Sequence, residues 1–420
     1  MRNFIRIQFL ALGFLFAGYT AAAQEYDLLI KNAHLIDPKN SIDQKMDVAV
    51  SDGVIAEVSP RIAAEKAKRM VDATGLYIVP GLIDIHAHVF WGTMDDAYIS
   101  NSYASLPPDA FTFRSGVTTI VDAGSAGWKN FKTFREQTVD HSATRVLAFL
   151  NIVGSGMKGG AIEQNLRDMD PKLTAIVAGK NKDVIVGIKL AHYMGPEWDP
   201  LDNTVEAGVL ADMPVMIDFG GHIPQLSLET LLLDKLRPGD IFTHCFAHVK
   251  GRGSVVDDNS IVRPYVAEAQ EKGVIFDVGH GGGSFLFEQA IPALEQGFPP
   301  NTISTDLHTG SMNAAMKDMV NVMSKFINMG MPLQETISRS TWLPAQVINH
   351  EELGHLSEGA VADIAVLSLK EGDFGYADIK GWKIRGTQKL ECELTIREGK
   401  VVWDLNGISM PEWNDKSKKE

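Results

Sequence analysis

At 420 residues, with 45% hydrophobic and 22% charged side chains, the chain has room for one large barrel plus an accessory domain. A formal net charge of −14 argues against a nucleic-acid surface and offers no broad basic patch for anionic lipid. Two cysteines, Cys245 and Cys392, exclude a disulfide framework and allow one bridge at most. Cys245 stands beside His244 in a strand-like run, which favours a buried free thiol.

The first residues are informative. Arg2 and Arg6 precede an apolar run from Phe9 to Ala17, and Ala21, Ala22 and Ala23 follow. That order describes a secretory signal peptide over residues 1–23, so a secreted or periplasmic protein is expected to begin near Gln24. The run falls short of the roughly 20 residues that span a bilayer, so no stable membrane anchor is expected. Without a cysteine near the exit, a simple lipoprotein is not expected either.

From residue 25 short apolar runs alternate with turn-prone residues, and Asp52-Gly53 marks a tight turn. From residue 82 the pattern changes. Strand-like runs recur at 82–88, 117–122, 145–151, 184–190, 215–219, 240–245, 274–278 and 301–306, each interval long enough for a helix. Eight such repeats favour a closed parallel (β/α)8 TIM-type barrel of the α/β class, with an open doubly wound sheet as the alternative. After His355 short strands return. Residues 25–78 and 357–408 are expected to pack as one discontinuous β-sandwich beside a barrel over 79–356, leaving a tail at 409–420.

The run Leu82–Phe90 alternates, so Ile83, Ile85, Ala87 and Val89 face one way while Asp84, His86 and His88 face the other. Two histidines on one strand face can reach a single metal ion. Lys189 ends an apolar run, where a lysine must snorkel, pair or change chemically. A neutral amine there can take up carbon dioxide as a carbamate. His244 lies in another apolar run and reads alone as a core histidine; Asp306 reads alone as a helix cap. Together they fall at the same ends of regularly recurring strands.

These residues closely resemble the amidohydrolase superfamily of metal-dependent hydrolases. The likeness rests on Gly81–His88, Gly187-Ile188-Lys189, Thr243–Phe246, Phe276–Phe285, Ser304–His308 and Ala362–Val366. It is greatest for the amidohydrolase/deacetylase branch, which is similar to dihydroorotases and D-aminoacylases. The resemblance implies a barrel with a β-sandwich and two divalent ions, commonly zinc. It assigns His86 and His88 to a buried metal together with Asp306, and it makes Lys189 a carbamate bridging to a second ion held partly by His244. Where the family usually has a fifth-strand histidine this chain carries Asp218, which is the expected ligand, with His222 as the alternative from the following loop.

Asp306 would also take the proton of the attacking water. The glycine-rich stretch from Gly279 to Ser284 allows close approach to a ligand, and His280 in it, with His192 after Lys189, are expected substrate contacts. The resulting expectation is an exported metal-dependent hydrolase cleaving an amide, or a related acyl ester, of a small-molecule substrate. The rivals are a non-catalytic metal-binding barrel, a mononuclear hydrolase with Lys189 unmodified, and a cyclic-amide hydrolase similar to dihydroorotase. A homo-oligomer is compatible with all of them.

Overall fold

The structure, a computed structural model, describes residues 24–95, 100–218, 226–248 and 251–413. The expected signal peptide, His222 and the tail from Asn414 onward lie outside the described residues.

The chain opens with strands β1 (Leu28–Asp37), β2 (Ile42–Ser51), β3 (Val54–Ser59), β4 (Met70–Asp72) and β5 (Tyr77–Pro80). The β2–β3 turn is Asp52-Gly53, with φ of +52° and +80°, the left-handed pair that a two-residue hairpin turn demands. Pro80 ends this run.

Seven strands then follow in parallel, each beside its predecessor: β6 (Leu82–Ala87), β7 (Val117–Gly127), β8 (Arg145–Asn151), β9 (Ile185–Ala191), β10 (Val215–Asp218), β11 (Ile241–Phe242) and β12 (Ile275–Phe276). Their residues are mostly buried on both faces, as a sheet wrapped by helices requires. Segment 301–307 takes the eighth position through single parallel bridges, Thr302 to Asp277 on one side and Leu307 to Ala87 on the other. Val278 N–H donates to the Thr302 carbonyl at 3.1 Å and His88 N–H to the Leu307 carbonyl at 2.8 Å. The sheet therefore closes as a TIM barrel, and the open-sheet alternative falls.

The last three barrel strands are shorter than the expected runs 240–245, 274–278 and 301–306. The cause is local. His244, Gly279 and Asp306 adopt φ of +56°, +46° and +50°, which turns the backbone off the ladder just where its side chains are needed.

The chain returns to the first sheet with β13 (Ile364–Ala377), β14 (Lys383–Arg397) and β15 (Lys400–Asp404). The order β15-β14-β13-β5-β1-β2-β3, with β4 on β1, joins both ends of the chain in one eight-stranded β-sandwich domain. Leu28, Ile30, Val48 and Ile78 share its core with Ile364 and Leu394. Leu367, Leu390 and Cys392 instead join the barrel's core, which includes Phe326 of the helix Met319–Asn328. Cys245 and Cys392 are both buried free thiols.

One carboxylate ties these parts together. Asp363 accepts hydrogen bonds from Arg145 at the start of β8 (2.5 Å), from Arg397 (3.3 Å) and from the Glu398 N–H (2.8 Å). Its carbonyl accepts from Gly81 N–H, at the entry to the barrel, at 2.8 Å. Removing this buried acid leaves Arg145 and Arg397 only their contacts with Thr119 and Glu398 and frees the Glu398 N–H, so Asp363→Ala should lower unfolding stability by about 3 kcal/mol in urea denaturation. A change below about 0.5 kcal/mol would contradict this role.

Candidate active site

β6 delivers His86 and His88 to the carboxyl end of the barrel, 1% and 5% exposed, and the left-handed turn at Asp306 brings a carboxylate to meet them. Asp306 Oδ1 lies 3.1 Å from His88 Nε2 and 3.7 Å from His86 Nε2. Each of the three offers a ligand atom within 4.8 Å of the others. A wider groove of about 630 Å³ opens at the other end of the barrel, beside Pro214, Asp240 and Asn301, but no metal-binding cluster lines it among the described residues.

Hydrogen bonds fix which nitrogen each imidazole presents. Thr243 Oγ1 donates to Asp277 Oδ2 at 2.7 Å, so His86 Nδ1, at 2.8 Å, must donate to Thr243 and turn its Nε2 lone pair to the site. Asp277 is anchored in turn by Thr302 (2.7 Å) and Ser304 (2.8 Å). His244 Nδ1 donates to the Gly279 carbonyl at 2.5 Å, which directs its Nε2 to Asp218 Oδ1 at 3.4 Å. His88 Nδ1 lies 3.1 Å from Ser125 Oγ. His308 is arranged the opposite way. Gly310 N–H donates to its Nδ1 at 3.0 Å, so its neutral ring carries a proton on Nε2, 3.8 Å from Asp306 Oδ2. Burial holds His86 well below the ordinary histidine range and keeps it neutral, as a ligand must be.

Lys189, in β9, is fully buried, and its Nζ has no hydrogen-bond partner among the described residues. Burial lowers its pKa despite the neighbouring charges of Asp218, Asp306 and Asp277. Its stem passes Gly124, whose φ is +91°; a Cβ there would stand 2.7 Å from Lys189 Cγ, so only glycine leaves room. Asp218 ends β10 opposite this amine. Burial opposes its ionisation, but His244 and Arg252 hold its carboxyl well below the usual range. Arg252 Nη2 donates to the Asp218 carbonyl and lies 3.3 Å from its Oδ1.

Thus the structure brings His86, His88, Lys189, Asp218, His244 and Asp306 to one end of the barrel. His192 joins them, half-exposed, with Nε2 3.5 Å from Asp218 Oδ2. His280 does not. Its ring is fully buried and stacked on Phe285 at 4.5 Å, its Nε2 lies 2.6 Å from Lys325 Nζ, and its Nδ1 lies 2.9 Å from the Gly281 carbonyl. Flanking glycines suggested close approach to a ligand; instead Phe285 of the same stretch covers the ring and Lys325, from a distant helix, meets its Nε2. Sequence reasoning missed Thr243, Asp277, Ser125, Glu163 and Arg252. Asp277 could have been suspected as a carboxylate ending an apolar run, whereas Glu163 and Arg252 sit in loops with no pattern to mark them.

Comparison with known proteins gives the same answer. Residues 287–402 match the Amidohydrolase family. A deacetylase of Brucella anthropi is 35% identical over 81% of this chain and 83% of its own length, and a deacetylase of Agrobacterium fabrum is 34% identical over 82% and 83%. Among solved structures, an adenine deaminase superposes with a TM-score of 0.81 at 26% identity, over 90% of this chain and all of that one. A dihydroorotase does so with a TM-score of 0.79 at 29% identity, over 90% and 99%. With a closed barrel, a β-sandwich built from both chain ends and relatives of this kind, the chain belongs to the amidohydrolase superfamily, as a hydrolase acting on carbon–nitrogen bonds other than peptide bonds.

Proposed function

We propose that this protein is an exported, metal-dependent hydrolase that cleaves the amide C–N bond, or a related acyl ester, of a small molecule, with deacetylation as the first reaction to test. The observation that carries the reading is the orphaned Lys189 amine facing Asp218 and Asp306, beside imidazoles whose Nε2 atoms point into the same space. The relatives named as deacetylases support acyl removal, and the leader-like first 23 residues support export.

The trio His86, His88 and Asp306 suits one divalent ion, zinc among the candidates, and Asp218, His244 and a carbamate on Lys189 would offer oxygen and nitrogen donors to a second. Bound there, such ions would supply Lewis acidity and make water acidic enough to attack at neutral pH. The chain's own groups do the rest. Asp306 accepts the proton of the attacking water and returns it to the leaving nitrogen or oxygen. The Nε2–H of His308 stands 3.8 Å from Asp306 Oδ2, beside that carboxylate. Asp277, through Thr243, keeps His86 in the liganding tautomer. Arg252 pins the Asp218 backbone at the end of its strand.

A panel of N-acetyl amino acids, acetylated hydroxy acids and cyclic amides should contain substrates for the metal-loaded protein, and turnover of none would contradict the proposal. Asp306→Asn should cut kcat by about 10²- to 10⁴-fold on whichever substrate is found; a variant retaining more than about a tenth of the native rate would exclude Asp306 as the proton carrier. Thr243→Val unties His86 and should weaken metal binding by about 10- to 100-fold in chelator competition, with unchanged affinity as the contrary result.

A further inference from the structure

The metal centre proposed above, on which this inference rests, has an uneven supply of nitrogen donors. Its buried half has two imidazoles, His86 and His88, with Asp306. Its other half has a single imidazole, His244, facing the carboxylate of Asp218 at the end of β10. We propose that His192 supplies a second imidazole there, so that His192, Asp218 and His244 hold the second ion together with the modified Lys189.

Position comes first. His192 directly follows β9, the strand that carries Lys189, and its φ of +56° takes it off that strand. Non-glycine residues with positive φ are uncommon, and His244 and Asp306 share this conformation at the ends of their own strands. The same backbone device that delivers two of the expected ligands therefore delivers His192.

Orientation is built as well. Glu163 is 1% exposed, and its Oε2 lies 2.8 Å from His192 Nδ1 while its Oε1 accepts the Gly159 N–H at 2.5 Å. Gln164 next to it donates to the His192 carbonyl at 2.7 Å. The turn Gly160–Gln164 thus grips both the ring and the backbone of one histidine. A buried carboxylate is costly unless it is used, and a carboxylate behind an imidazole is the usual support of a liganding histidine. With Nδ1–H donated to Glu163, the free lone pair is on Nε2.

That lone pair faces the right group. His192 Nε2 lies 3.5 Å from Asp218 Oδ2, and His244 Nε2 lies 3.4 Å from Asp218 Oδ1, so the two imidazoles bracket one carboxylate from its two oxygens. The set is more open than the buried trio: among the described residues only His86, His88 and Asp306 offer ligand atoms all within 4.8 Å of one another. Half the His192 side chain is solvent-exposed, which fits the side of the centre that must keep a position open for substrate.

The test reads metal rather than turnover. Native protein, His192→Ala and Glu163→Gln would be equilibrated with zinc and bicarbonate and their content measured by elemental analysis. Cobalt-loaded samples would be compared by visible absorption, with circular dichroism confirming that each variant is folded. Native protein should hold about two equivalents. His192→Ala should keep the buried ion and lose the second, with an altered cobalt spectrum, and Glu163→Gln should bind the second ion about 10- to 100-fold more weakly. If both variants hold two ions with native affinity and spectrum, His192 is not a ligand and the proposal is overturned; a rise in KM alone would then make it a substrate contact. Fewer than two equivalents in the native protein would overturn the binuclear centre itself, and this assignment with it.

Discussion

Lys189 lies near the end of β9 with a terminal nitrogen that has no hydrogen-bond partner among the described residues and no exposure to water. Leaving an ammonium in such a place would cost several kcal/mol, so the amine is pushed toward its neutral form. Three aspartates lie close enough to act on it electrostatically, and the only space for its stem exists because residue 124 is glycine. A folded protein keeps an uncompensated group of this kind where chemistry uses it. A neutral amine among carboxylates and imidazoles is suited to the proposed carbamate, an anion that two cations could share, and Asp218, Asp306 and Asp277 all lie close enough to act on it.

The arrangement depends on rigidity behind the ligands. His86 is held through Thr243 by Asp277, His244 by a backbone carbonyl, and His192 by Glu163. Each Nδ1 is occupied, so each Nε2 is free to face the centre. Left-handed turns at His192, His244 and Asp306 place these groups just beyond the barrel ladder, where the strand geometry fixes them to within a rotamer. On the other side of the barrel, Asp363 links the entry to β6 with β8 and the β-sandwich, which ties the frame to both ends of the chain.

Much of the barrel was readable in the sequence because strands buried on both faces must be apolar runs, and polar or ionisable residues at their ends interrupt those runs. His86, His88, Lys189, His244 and Asp306 stand out for that reason. The shortness of the last three strands was not readable, since a positive φ at His244 or Asp306 leaves no mark in an amphipathic pattern. Nor was the supporting layer. Glu163 meets His192 across 29 residues and Thr243 meets His86 across 157, and such contacts exist only once the barrel has closed. His280 shows the converse. Its glycine neighbours suggest an accessible loop, yet Phe285 and Lys325 enclose its ring and occupy its Nε2.

The account turns on the chemical state of Lys189, and that state can be observed directly. Metal-loaded protein prepared with ¹³C-labelled bicarbonate should show a carbamate carbon resonance in its NMR spectrum. The signal should depend on added metal and vanish in Lys189→Ala. A metal-loaded, folded protein that takes up no label would contradict the account and leave Lys189 a simple buried amine.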